Sequence, residues 1–253
     1  MMIELAILTL AGLAIATVAM AMGIGAGILW TPLLILGYGF SPQEAVATSL
    51  MIQVAGTGSG TIAYLRAGLV EKKLTGIFIL CALPGVILGG FLSFKLSQEV
   101  VQMSLGLMAM ILAVLFVSTQ EELSDNARYE FDKRIVTRLC AIPGFLGLLM
   151  GSLSVGISEW LIPAMRNRLH LEMKRAIATA IPMTFALAAV AATVHWSNTA
   201  DLPLKHFAAG ALGTIIGGQL GAHLSQRINE RLLKQSFIYL MTLIGIHLIF
   251  QAI

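Results

Sequence analysis

Ala45 to Ser49 reads AVATS, and 131 residues later Ala176 to Ala180 reads AIATA. At the same offset Gly25 falls on Gly156 and Pro32 on Pro163. Further along, Gly85, Gly89 and Gly90 match Gly213, Gly217 and Gly218, and LSQ at Leu96–Gln98 matches LSQ at Leu224–Gln226, now at an offset of 128. A gap of three residues in one loop accounts for the change. Several correspondences in one order make two homologous halves, 1–118 and 139–253, because chance similarity in a Gly- and Ala-rich chain would not keep order. The segment between them, 119–138, carries five acidic and four basic residues and reads as a charged cytoplasmic linker.

Composition places both halves in a bilayer. The chain is 57% hydrophobic and 11% charged, with a mean hydropathy of +0.87 over 253 residues, which leaves no polar shell for a soluble core. Apolar segments near the ~20 residues needed to cross lie at 3–22, 45–64, 74–94, 102–118, 139–156, 176–195, 207–224 and 235–252. Residues 3–22 lack a basic flank and a clean cleavage site, so they are expected to belong to the fold rather than to a removable signal. Cys81 and Cys140 stand in separate apolar segments and support neither a disulfide framework nor a metal cluster. The formal charge of +3 lies in short loops, where it orients the chain; it forms no nucleic-acid recognition element.

Loop charges choose among topologies. With eight full crossings the 16 Lys and Arg divide eight against eight, contrary to the excess of cytoplasmic positive charge that membrane proteins show. If 3–36 and 139–165 each enter and return to the same side, the division becomes 14 against 2, with Lys95 and Lys205 alone outside. Each half then contributes a re-entrant, broken helical hairpin and three transmembrane helices. Three crossings is an odd number, so the halves form two inverted repeats of an all-α polytopic membrane protein, with both termini outside the cytoplasm. The breaks are expected at Gly23–Gly27 and within 151–158, since glycine permits a non-helical turn. Pro32 and Pro163 would suit the first turn of each returning arm. At about 27 residues, 139–165 is too short for two full crossings, so each arm should reach only part of the way.

Backbone freed at membrane depth must be buried or line a polar cavity. The two breaks should therefore meet near the midplane, where returning half-helices aim free N–H groups at an anion. Candidate ligands are Gly23, Gly25, Gly27, Thr31, Thr48, Ser49 and Gln53 from the first half and Gly156, Ser158 and Thr179 from the second. The plainer reading of the hydroxyls is that they bond to their own helix or tie neighbouring helices together. Glu159 stands out, because a charge at a helix centre costs roughly 2.5–3.5 kcal/mol on insertion scales. Its expected role is to carry a proton coupled to transport, against a structural cap holding the hairpin or an interfacial residue with no role. His195 beside Trp196 reads as an interfacial anchor.

The stretch GIGAGILWTPLLILGYGFSPQEAVATSL, Gly23–Leu50, resembles the signature of the sulfite exporter TauE/SafE family. Its motif positions fall on Gly23, Gly25, Gly27, Pro32, Ala47, Thr48 and Ser49, and on Gly156, Pro163, Ala178 and Thr179 in the second copy. That copy departs from the pattern, with Ser158-Glu159-Trp160 in place of a glycine-rich run and Ala180 in place of the serine. The resemblance implies a bacterial inner-membrane permease, often an exporter, for sulfite, organosulfonates or related small anions, coupled to the proton gradient. No cofactor or metal is expected from the residues. A homodimer is a candidate assembly. A cation or other small-solute carrier using Glu159 as ligand, and a non-transporting membrane scaffold, are the alternatives. No nucleophile–base pair, His-rich metal motif or paired aspartates suggest an enzyme.

Overall fold

The computed structural model describes residues 2–118, 133–199, 202–225 and 227, with 235, 238–239, 242–243 and 245–250 beyond them. Among the described residues the chain is helical throughout, without strands. The first half holds α1 (Met2–Met22), α2 (Gly27–Pro32) running into a π-helical turn (Leu33–Gly37), α3 (Pro42–Arg66), α4 (Lys72–Ser93) and α5 (Gln98–Ser118). The second holds α6 (Lys133–Leu139), α7 (Ala141–Leu153), α8 (Ser158–Leu169), α9 (Met173–Asn198) and α10 (Leu204–Leu224). Residues 236–237, 240–241, 244 and 251–252 of the last apolar segment, 235–252, and linker positions 119–132 lie outside the described residues.

Local chemistry sets the ends. Ser41 caps α3 through a capping box with Glu44, and Pro42 supplies a preset first helical residue. Gly23 turns the chain left-handed at φ 75° and closes α1, with Ile24 N–H bonded back to Ala19. Five described helical stretches are long and apolar enough to cross a membrane: Met2–Met22, Lys72–Ser93, Gln98–Leu115, Lys133–Leu153 and Met173–Asn198. The protein is therefore a multi-pass membrane protein.

Helix directions follow from which residues meet. Gly213 packs on Thr9 and Leu13 of α1, Gly217 on Leu13 and Thr17, and Gly221 on Thr17 and Ala21, so α1 and α10 run parallel. Against α3, Gly210 meets Ile52, Gly218 meets Gly56 and Ser59, and Tyr64 bonds Ser225, so α3 runs parallel to them too. Two consecutive long helices in one direction require the chain to return between them, and Gly27–Gly37 is that return. The same construction recurs beyond the linker. Gly85 and Gly89 of α4 pack on Gly144 and Leu148 of α7, while Thr75 meets Thr179 and Gly90 meets Val194 of α9, so α4, α7 and α9 are parallel. The two trios oppose each other, for Gly58 of α3 touches Phe185 and Gly60 touches Ile181. Each hairpin thus leans on a helix of the other half.

Bare glycine faces let backbones approach where lipid offers no hydrophobic drive to associate. A Cβ on Gly89, Gly147, Gly151 or Gly213 would collide with a neighbouring carbonyl oxygen.

Two expectations need correction. The first arm of the second hairpin starts at Lys133, and with α7 it spans 21 residues, so first arms are full length and only the returning arms, Gly27–Gly37 and Ser158–Leu169, are short. Residues 133–138 are helical because IVTRL continues the apolar face with buried Val136 and Leu139. Pro32 and Pro163 lie inside their helices, each at the sixth position, rather than in the first turn. Neither can donate the bond that would normally reach Ile28 or Glu159 four residues before.

Candidate functional site

The breaks span 23–26 and 154–157, equivalent positions under the 131-residue offset. Gly23 has φ 75° and its counterpart Ser154 has φ 61°, a conformation that strains any residue but glycine. The tips meet. A Cβ on Gly25 would lie 2.7 Å from Gly156 Cα, and one on Gly156 would lie 2.7 Å from Gly25 Cα, so only glycine fits at either place. Gly27 is equally pressed against the Ser154 backbone. Ser154 Oγ lies 2.9 Å from Ser49 Oγ, which fastens the second break to α3.

Side chains from both central helices close on this crossing. Gln53 Nε2 of α3 and Thr184 Cγ2 of α9 lie 2.9 and 3.3 Å from the Cβ position of Gly25. The two residues are related by the same offset that relates Gly25 to Gly156. Glu159 is fully buried in the first turn of α8. Its Oε2 accepts from the Ser158 hydroxyl at 3.3 Å, and its carboxylate faces the backbone of Gly25, Gly156 and its own residue. A carboxylate thus occupies the concavity that half-helix N–H groups would offer an anion.

Several polar atoms here have no protein partner among the described residues. Both ends of the Gln53 amide, the hydroxyls of Thr31, Thr48 and Thr184, and Glu159 Oε1 are buried there without a hydrogen bond. Each such group costs roughly 1–3 kcal/mol, and natural interiors leave few. Their concentration around paired helix breaks makes the crossing the candidate site, since an incoming polar solute would satisfy them. Thr48 stands five residues before Gln53 on α3, about 7.5 Å along the axis, next to Ser49, which reaches Ser154 of the second break.

Other expected residues hold the fold. The Thr179 hydroxyl accepts from Glu71 N–H at 3.1 Å and its carbonyl accepts from Thr75, tying the α3–α4 loop to α9. Glu71 also pairs with Arg175. Gly23 packs against Ile162 and Ile177. Thr57 and Thr61 bond their own helix carbonyls, while Ser59 and Gln219 tie α3 to α10. His195 is a correction: it is buried, bonded through Nε2 to the Gly151 carbonyl and packed on Phe94, because α9 places it over the end of α7 instead of in the interface. Ser154 and Thr184 were not singled out from the sequence. Thr184 was within reach, since Gln53 advanced by the repeat offset lands on it.

Residues 8–248 match the sulfite exporter TauE/SafE family. The chain belongs to that family. The TauE/SafE chain is 25% identical over 271 residues to the "Probable membrane transporter protein YunE" of Bacillus subtilis (strain 168), with 98% of each covered. It is 26% identical over 254 residues to the "Probable membrane transporter protein YjnA" of the same organism, covering 95% of this chain and 98% of that one. No solved structure matches it. Family and relatives agree with the helical content in making this TauE/SafE protein a membrane transporter.

Proposed function

We propose that this protein moves a small anion of the sulfite or organosulfonate class across the bacterial inner membrane by alternating access about the Gly25–Gly156 crossing. The observation that carries the reading is the set of unpartnered polar groups gathered there, above all Gln53 and Thr184 on opposed central helices. The opposite directions of α1, α3, α10 and of α7, α9, α4 support inverted halves, the arrangement in which two equivalent gates can open in turn around one site.

Glu159 gives the coupling. A carboxylate facing the tip glycines repels an anion unless it carries a proton, so proton and anion enter the site together and the charge moved is reduced. Loop charge supports the orientation. Ser41, Leu96 and His206 share one face through the Gln43–Leu96 bond and the Phe40–His206 ring contact. Glu71, Arg175 and the basic residues around Arg66, Lys72, Arg166 and Arg168 share the other, which is assigned to the cytoplasm. Both termini are then outside.

The same buried carboxylate favours a second reading, in which Glu159 ligates a coupling or transported cation. The two separate on Glu159→Gln. In the proton-coupled anion reading this variant still binds anions and loses the pH dependence of flux; in the cation reading it loses binding altogether. Normal flux with unchanged pH dependence would exclude both roles.

A further inference from the structure

A cavity of about 540 Å³ lies away from the crossing, between α5, the α6–α7 arm and α8. Its walls are graded. α8 runs from the hairpin tip toward the basic face, so Trp160 stands deep and Asn167 and Arg168 at the mouth. The α6–α7 arm runs the other way and places Arg138 at the mouth and Ile142 deeper, while Leu115 closes the side from α5. Among the described residues no carboxylate lines the cavity. Among the described residues neither Arg138 nor Arg168 forms an ion pair, although Glu71 and Arg175 do so on the same face.

Two guanidiniums above an apolar slot match one kind of molecule: an anionic phospholipid, its phosphate at the arginines and an acyl chain running in toward Trp160. Basic pockets between transmembrane helices on the cytoplasmic side take such headgroups, and arginine's planar fork suits phosphate oxygens. A free inorganic anion would leave the apolar length unfilled, and a neutral lipid would leave the guanidiniums uncompensated. We infer that this cavity is a binding site for an anionic phospholipid, held by Arg138 and Arg168 and packed against Trp160, on the outer flank of the second hairpin. The lipid then braces α8, whose first turn carries Glu159 one residue before Trp160. This inference rests on the membrane reading and not on the transported solute.

The test uses the whole protein in vesicles that contain dibrominated phosphatidylglycerol or dibrominated phosphatidylcholine at equal mole fraction, with bromine quenching of tryptophan as readout. Trp160→Phe isolates the signal of Trp160 from those of Trp30 and Trp196 by difference. Each surface cation contributes roughly a fivefold preference for an anionic lipid. The Trp160 component should therefore favour phosphatidylglycerol by about tenfold or more, and R138A/R168A should bring the preference to near unity. Raising the salt from 0.05 to 0.5 M should weaken the preference in the wild-type protein, which needs no variant to fold. Equal quenching by both lipids, a preference untouched by removing the arginines, or one indifferent to salt would overturn the assignment.

Discussion

Substituting Gly89 by alanine adds one methyl group to α4 at its contact with the first arm of the second hairpin. In the structure that methyl would lie 2.8 Å from the carbonyl carbon and 2.9 Å from the Cα of Leu148, and nearer still to the carbonyl oxygen. Ordinary carbon contacts are about 3.5–4.0 Å, so α4 and α7 must part by roughly 1 Å. Overpacking of this kind costs about 1–3 kcal/mol, and the obstacle is backbone that cannot rotate away. Gly76 provides the control within the same helix, since nothing stands within 4 Å of a Cβ there. Gly76→Ala carries only the gain in helix propensity, about 1 kcal/mol. Thermal unfolding of both purified variants in one detergent should show Gly76→Ala at or above the wild-type midpoint and Gly89→Ala clearly below it. Equal midpoints would mean that the hairpin arm does not pack backbone-to-backbone on the other half, and the derivation of helix direction from those contacts would fall with it.

Further outcomes follow from the same geometry. Gln53→Ala and Thr184→Ala remove groups without protein partners, so their unfolding midpoints should stay at the wild-type value. The half-saturating anion concentration should rise about tenfold or more, as expected for losing a hydrogen bond to a charged ligand; a drop in stability without a change in affinity would make them structural. With Cys81 and Cys140 replaced by alanine, cysteines at positions 41 and 69 should react with impermeant reagents from opposite faces, and labelling from one face would refute the hairpin. Glu71→Gln breaks the pair with Arg175, whose side chains are 22% and 42% exposed, so it should cost at most about 1 kcal/mol and less in high salt. A much larger loss in thermal stability would show that the α3–α4 loop is tied more firmly than an exposed pair allows.

The hairpins were legible in part because re-entrant segments are what separates the basic from the neutral loops, and because the glycine-rich run 23–27 marks the first break; the second, 154–157, holds a single glycine. The repeat then located equivalent positions without any coordinates. Where the sequence misled, contacts unseen in it prevailed. Trp196 beside His195 has the look of an interface, yet the Gly151 carbonyl and the Phe94 ring draw the imidazole inside. Thr179 matches Thr48 by repeat, but the approach of Glu71 N–H engages its hydroxyl, while Thr48 is left without a partner. Ser154 was invisible because serine does not advertise a left-handed backbone, which its glycine counterpart Gly23 adopts freely.

The decisive measurement is flux of labelled sulfite into proteoliposomes of the purified protein, with and without an imposed pH gradient and competed by sulfonates and carboxylates. Gradient-dependent uptake that sulfonates block, and that becomes insensitive to the gradient in Glu159→Gln, is the expected result. Uptake that is absent, or that continues unchanged when Gln53, Thr184 and Glu159 are replaced together, would contradict an anion site at the crossing of the two breaks.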